Sequence, residues 1–290
     1  MLKRTITGII MAGFLFLILW LNGFSHFIFD GVVMVVAGIA SWEMYRALSH
    51  TAEEEKKSFN VALPAVIVAW LLSYPFAFFF GYMGLFFDLV IASVVAIVIF
   101  IFKQSLRVED CFATVFCILY PIGLISVLYV LDIKYGMIPV VLAIAIGTIS
   151  DLFAYFIGAL FGKRKIFPKI SPKKTYAGCI AGLIGGAIGG IVVYLIFELG
   201  RFPTNTKFTF QGLLYGSVGA TIGVYAAIGF VIAFFSEIGD LAASRIKREV
   251  GIKDYGKLLG SHGGILDRID SILFTSVCMA IIMEIVSLTI

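Results

Sequence analysis

Two segments in the second half of the chain carry the residue types that phosphate chemistry needs. The first reads Gly162-Lys163-Arg164-Lys165-Ile166-Phe167-Pro168-Lys169-Ile170-Ser171-Pro172-Lys173-Lys174-Thr175. Its six cations have no acidic neighbour, two prolines stiffen it, and Ser171 and Thr175 bracket the Lys173-Lys174 pair. Ammonium groups and hydroxyls on a rigid turn before a helix suit a phosphate. An orientation signal that merely touches anionic lipid would need the cations alone, in any arrangement. This is not a P-loop, because Gly158 and Gly162-Lys163 fall one residue short of its spacing and no hydroxyl residue follows.

The second segment runs from Ser236 to Ser271. If the helix before it persists, Glu237, Asp240, Ser244 and Lys247 recur at steps of 3, 4 and 3 and form one polar stripe. Gly263-Gly264 then allows a tight turn. Asp267 and Asp270 follow on one face of the next helix. One carboxylate from the first helix and two from the second can converge. Such hard oxygen ligands suit Mg²⁺, which keeps waters and takes phosphate oxygens as further ligands. Beside a basic loop they point to metal-assisted chemistry on a phosphate or nucleotide. The same charges also suit the inner gate of an ion-coupled transporter, and the residues alone leave both readings open.

The rest of the chain says where such a site must sit. Of 290 residues, 61% are hydrophobic and 14% charged, and the mean hydropathy is +1.05. Soluble domains carry about 25% charged residues, so a soluble enzyme, a nucleic-acid binder and a disordered chain are excluded. The apolar runs are continuous, unlike the short alternating segments of a β-barrel. The expected fold is therefore all-α and polytopic. Nine runs reach the length of a membrane helix: 5–24, 27–47, 60–80, 84–102, 111–131, 138–161, 178–199, 212–238 and 268–289. The first reads as a retained helix rather than a cleaved leader. About five spans fall in 1–135. About four fall in 136–290, the expected catalytic region with its loops 162–177 and 239–266.

With nine spans, 19 of the 22 Lys and Arg residues fall on one side and 3 on the other. The positive-inside rule then places the N-terminus and both basic loops in the cytoplasm and the C-terminus outside. Gly178, Gly182, Gly186 and Gly190 recur every four residues, a spacing that lets helices approach closely. Packing within one chain and a homodimer interface both satisfy that stripe. Cys111, Cys117, Cys179 and Cys278 lie in apolar runs and read as small core residues rather than zinc or disulfide partners. Asp88 and Glu284 read as acids with local partners or near an interface, Glu198 as a surface partner of Arg201, and Asp151 as either structural or functional.

From Ser244 to Asp270 the chain resembles the signature of the phosphatidate cytidylyltransferases, or CDP-diacylglycerol synthases. The matching residues are Ser244, Lys247-Arg248, Lys253-Asp254, His262-Gly263-Gly264, Asp267-Arg268 and Asp270. The Ser171-to-Thr175 loop and Asp151-x-x-Ala154-Tyr155 also look like family elements, in the right order. Typical members have Gln at the position of Glu237, Glu at that of Ala177, and Pro-Gly at Gly260-Ser261. The resemblance implies that CTP and phosphatidic acid give CDP-diacylglycerol and pyrophosphate at the cytoplasmic face of the plasma membrane. It implies Mg²⁺ on Asp240, Asp267 and Asp270, and leaves open a second cation such as K⁺. Ser171, Lys173, Lys174 and Thr175 would meet phosphate groups of CTP or lipid, with Lys247, Arg248 and Arg268 as further clamps. Ser244, Lys253, Asp254, His262, Gly263 and Gly264 would complete the nucleotide site. A CTP-dependent enzyme acting on another lipid phosphate or alcohol is the sister reading.

Overall fold

A computed structural model of the chain describes residues 13, 16–18, 20–23, 25–49, 58–201, 207–210, 214, 216–260 and 263–289. The helices are α1 (His26–Ser49), α2 (Leu63–Phe102), α3 (Val108–Cys117), α4 (Val127–Tyr135), α5 (Met137–Phe161), α6 (Tyr176–Val193), α7 (Val218–Glu249) and α8 (Leu266–Thr289). Wider π-type turns, Ile118–Gly123 and Tyr194–Leu199, join α3 towards α4 and extend α6. Among the described residues, seven helical stretches are long and apolar enough to cross a membrane. The chain is an all-α, polytopic membrane protein, as composition requires. The first expected run, 5–24, lies largely outside the described residues.

The runs expected at 60–80 and 84–102 appear as the single 40-residue α2. It is not one straight rod. Gly81 adopts φ 58 and ψ −136, a backbone region that a Cβ disfavours. Beyond it the chain folds back, so that a Cβ on Gly84 would stand 1.9 Å from the Phe76 carbonyl oxygen. Leu63 and Pro64 at one end, and Ile99 and Lys103 at the other, line one cavity. α2 is thus an antiparallel pair of arms with its bend at Gly81. A similar one-residue break at Gly136, φ 81, separates α4 from α5.

α5, α6, α7 and α8 pack against one another, and glycine sets their spacing. A Cβ on Gly190 would lie 2.1 Å from the Tyr225 carbonyl oxygen, and one on Gly186 would lie 2.3 Å from Ala233 Cβ. On the other side, Gly185 and Gly189 receive Phe153 and Ile149 of α5. The stripe in α6 therefore serves packing inside the chain. Within the basic loop the all-α expectation misses a small antiparallel hairpin, β1 (Lys165–Phe167) with β2 (Ser171–Thr175). Pro168 and Pro172 deny helical hydrogen bonding there, so the chain doubles back instead.

The acids inside apolar runs find different settings. Glu284 accepts from Lys134 and from the Tyr135 hydroxyl, the local partners expected of it. Glu198 accepts the Tyr225 hydroxyl. Asp88 is buried, and its Oδ1 has no hydrogen-bond partner among the described residues.

Candidate functional site

The charged residues converge where the hairpin, α7 and α8 meet. α7 continues unbroken to Glu249, so the stripe expected from Glu237 to Lys247 lies on one helix. In β2, side chains alternate between faces. Lys173 is exposed, whereas Lys174 is half-buried and turned towards the bundle. The Lys174 ammonium lies 2.6 Å from Glu237 Oε2 and 2.9 Å from Asp240 Oδ2. Burial works against its charge, but Asp240 and Glu237 more than compensate and hold its pKa above the ordinary lysine value. Thr175 is buried as the N-cap of α6, its hydroxyl accepting the Gly178 N–H at 3.1 Å. Its hydroxyl is thus committed to the helix start.

A second lysine serves the other carboxylates. Lys247 Nζ lies 2.8 Å from Asp267 Oδ1 and 4.0 Å from Asp270 Oδ2. It also sits 5.3 Å from the centre of the Tyr255 ring, within cation–π range. Asp267 Oδ2 accepts the N–H groups of Tyr255, at 2.8 Å, and Gly264, at 3.0 Å. Asp267 thereby clamps both ends of the segment linking α7 to α8. Asp270 Oδ1 accepts the Ser271 N–H. At this level α7 and α8 touch backbone to backbone, since a Cβ on Gly239 would lie 2.8 Å from the Asp270 carbonyl oxygen. That contact brings Asp240 and Asp270 within electrostatic reach of each other and of Asp151 on α5. Burial, and the charges of Tyr120, Asp270 and Asp267, push the Tyr255 phenol above its usual range.

Beneath the charges lie buried polar atoms. Glu237 Oε1, Ser150 Oγ and Ser236 Oγ are buried without hydrogen-bond partners among the described residues. Gly182 leaves room for the first two, since a Cβ there would lie 2.9 Å from Glu237 Oε1 and 3.0 Å from Ser150 Oγ. The remaining expected residues form a rim. Arg248 reaches the Ile170 carbonyl in the hairpin turn and the Ile252 carbonyl, both at 3.5 Å. Arg268 is exposed and lies within electrostatic reach of Asp151. Lys253 and Asp254 are exposed on the link, Ser171 is half-buried in the hairpin, and Ser244 is half-buried on α7. Gly263 takes φ 81, the turn that the glycine pair was expected to make. His262 lies outside the described residues.

Hard oxygen donors of this kind fit a divalent cation. Among the described residues no three acidic, His or Cys side chains stand close enough to hold one. A Mg²⁺ site needs only one or two carboxylates when waters and phosphate supply the rest, so the donor set remains suitable. Sequence reasoning missed Glu43 of α1, which accepts the N–H groups of Ile265 and Leu266 at 3.1 and 2.8 Å. The one available signal was an acid at the basic end of an apolar run.

Fold and site define a polytopic helical membrane protein with a lysine-paired carboxylate cluster at one end of its helix bundle. The chain belongs to the cytidylyltransferase family, whose sequence pattern matches residues 2–286. It is 32% identical over 178 residues to a phosphatidate cytidylyltransferase of Aquifex aeolicus (strain VF5), covering 61% of this chain and 59% of the relative. It is 36% identical over 134 residues to one of Mycobacterium bovis, covering 46% and 37%. It is 39% identical over 145 residues to the uncharacterized protein YnbB of Escherichia coli (strain K12), covering 50% and 42%. The chain thus matches less than two thirds of the length of each of these relatives.

Proposed function

We propose that this protein transfers the cytidylyl group of CTP to phosphatidic acid, giving CDP-diacylglycerol and pyrophosphate. The observation that carries the reading is the pairing of Lys174 and Lys247 with four carboxylates at one end of the bundle, in a chain of this family. An oxygen of the lipid phosphate attacks the α-phosphorus of CTP. A new P–O bond forms, the bond to the β-phosphate oxygen breaks, and pyrophosphate leaves with that electron pair. Both reactants are anions, so positioning and charge neutralisation dominate such a transfer. The lipid phosphate is already a charged nucleophile, and no strong general base is required of the protein.

In this reading the two lysines hold the places of cations until substrate arrives. Each ammonium faces a pair of carboxylates, Glu237 with Asp240 and Asp267 with Asp270. With the lysines turned towards phosphate, Asp240 and Asp270, together with Asp267 Oδ1, would be the carboxylate oxygens open to Mg²⁺, one or two of which suffice to hold it. Asp267 Oδ2 stays on its two backbone N–H groups. A divalent cation held there would supply neutralisation of the charge that develops on the phosphates. Lys173, Arg248 and Arg268 at the rim draw in CTP or the lipid headgroup, and Ser171, Ser244, Lys253, Asp254, His262, Gly263 and Gly264 complete the nucleotide site. Glu237 Oε1 and the two unpartnered serines offer a place for a second cation such as K⁺. The basic loops support a cytoplasmic position for this end of the bundle, and the reading sets the chain in the plasma membrane. Asp151 is exposed in the middle of an apolar helix, which supports a cleft open towards lipid.

A pyrophosphate-release assay in detergent tests the reading. Release should require CTP, phosphatidic acid and Mg²⁺ together. Release of CDP with a lipid alcohol as acceptor would mark a lipid kinase instead. Cation flux in liposomes without CTP turnover would mark a transporter.

A further inference from the structure

Glu43 belongs to α1, far in sequence from every residue of the site, and is 5% exposed. Both its oxygens are spent on the start of α8. Oε1 accepts the Ile265 N–H at 3.1 Å, and Oε2 accepts the Leu266 N–H at 2.8 Å. The carboxylate enters a slot between two glycines. A Cβ on Gly256 would lie 2.2 Å from Glu43 Oε1, and one on Gly264 would lie 2.3 Å from both oxygens. The neighbouring glycines of the turn therefore do different work. Gly263 is needed for its positive φ. Gly264 is needed for the space that Glu43 fills.

Asp267 completes the arrangement by accepting the Gly264 N–H. Three successive amides at the start of α8 thus end on two carboxylates, one from α8 itself and one from α1. Free helix N-terminal amides attract anions. Here they are already satisfied, so they hold the segment in place rather than offer a phosphate site. The two residues that α8 brings to the site, Asp267 and Asp270, lie in the turn that Glu43 anchors.

We propose that Glu43 is a positioning residue for the catalytic carboxylates. It fixes Ile265 and Leu266 and with them the first turn of α8, so that Asp267 and Asp270 would be held where a cation can reach them. This rests on the proposed function for its activity readout and makes α1 part of the working site.

The test is a double-mutant cycle on the whole 290-residue chain in detergent, using Glu43→Ala, Gly264→Ala and the pair together, with Glu43→Gln as the conservative change. Glu43→Gln should lower kcat at least tenfold and raise the Mg²⁺ needed for half-maximal rate, while KM for CTP changes less than threefold. Gly264→Ala should be severely impaired alone. The double variant should be no worse than the poorer single one, because removing the carboxylate vacates the space that the new Cβ needs. Hydrogen exchange of peptides across 255–268 should quicken in Glu43→Gln and in Gly264→Ala, with or without substrate. That readout survives if the wild type releases no pyrophosphate, which would sink the proposed function alone. Near-normal kcat and Mg²⁺ dependence in Glu43→Gln, in an otherwise active protein, would overturn the proposal. So would single-variant losses that multiply in the double, or unchanged exchange across the segment.

Discussion

Lys174 and Glu237 meet at 2.6 Å across the seam between the β-hairpin and α7, with the lysine also held at 2.9 Å by Asp240. The adjacent Lys173 points the other way and is exposed. The two lysines of the pair should therefore behave differently. Lys174→Ala leaves two acids without their partner and should lose about 1.5–3 kcal/mol of stability, the range for a hydrogen bond to a charged group. Lys173→Ala should stay within about 0.5 kcal/mol of wild type, as is usual at an exposed site. Both should weaken turnover of CTP if the loop meets phosphate, whereas exposed Lys103→Ala should not. Thermal unfolding and pyrophosphate release on the same preparations separate the two effects. Equal stability losses for Lys173→Ala and Lys174→Ala would refute the assignment of faces.

The same pair sets a pH dependence. Asp240 and Glu237 raise the folded-state pKa of Lys174 above its unfolded value despite burial. A raised lysine pKa stabilises the fold fully below the unfolded value, about 10.4. That contribution fades only as pH climbs from there through the higher folded value. The stability gap between wild type and Lys174→Ala should therefore be flat from neutral pH to the edge of the ordinary lysine range, then narrow above it. A gap that already closes on the neutral side of that range would show that the lysine is not held as a cation by these acids.

Patterns local in sequence were legible, and contacts that cross the chain were not. Helical spacing put Glu237, Asp240 and Lys247 on one stripe if the helix continued, and Asp267 and Asp270 on one turn. α7 does continue, to Glu249, so the stretch expected as loop from 239 is helical over its first eleven residues. The family signature lies on segments whose charged residues the structure brings together. Glu43 escaped because 222 residues separate it from its partner Ile265, and one acid in an apolar run has no period to betray it. Thr175 read as a phosphate contact because a hydroxyl beside two lysines looks the same whether it meets a ligand or caps the helix behind it. The hairpin was missed because strands of three and five residues leave no alternating pattern long enough to read.

The bend in α2 makes a topological prediction. Gly81 lies at the turn between two arms whose far ends share a cavity. Single cysteines at Tyr82 and at Lys103 in a cysteine-free background should be labelled from opposite sides of the membrane. The site beside Gly81 should react from outside, and the one at Lys103 from the cytoplasm. A reporter after Ile290 should likewise be extracytoplasmic, and a tag within 166–170 cytoplasmic. Labelling of both cysteines from one side would mean that α2 does not cross as two arms. Finding the reporter and the tag together would break the nine-span arrangement.

The carboxylates themselves give the sharpest test, because the structure assigns them unequal surroundings. Asp240 pairs with Lys174 at 2.9 Å on the partly open face of α7. Asp267 has one oxygen on Lys247 and the other on two backbone N–H groups. Exchange of Asp for Asn keeps the size and one acceptor oxygen but removes the charge that would hold a divalent cation. Asp240→Asn and Asp270→Asn should each lower CTP turnover by about two orders of magnitude or more at ordinary Mg²⁺, the scale on which lost transition-state charge stabilisation is felt. Raised Mg²⁺ should recover part of it, because the remaining carboxylates still bind weakly. Asp267→Asn should fall as far in rate, and it should also speed hydrogen exchange across 255–264, since an amide oxygen cannot serve both the lysine side and the backbone side. Asp88→Asn and Glu284→Gln, remote from the cluster, should cost far less activity. If Asp240→Asn and Asp270→Asn turn over CTP at near-normal rates with unchanged Mg²⁺ dependence, these acids serve only as partners of Lys174 and Lys247, and the cation must be sought elsewhere.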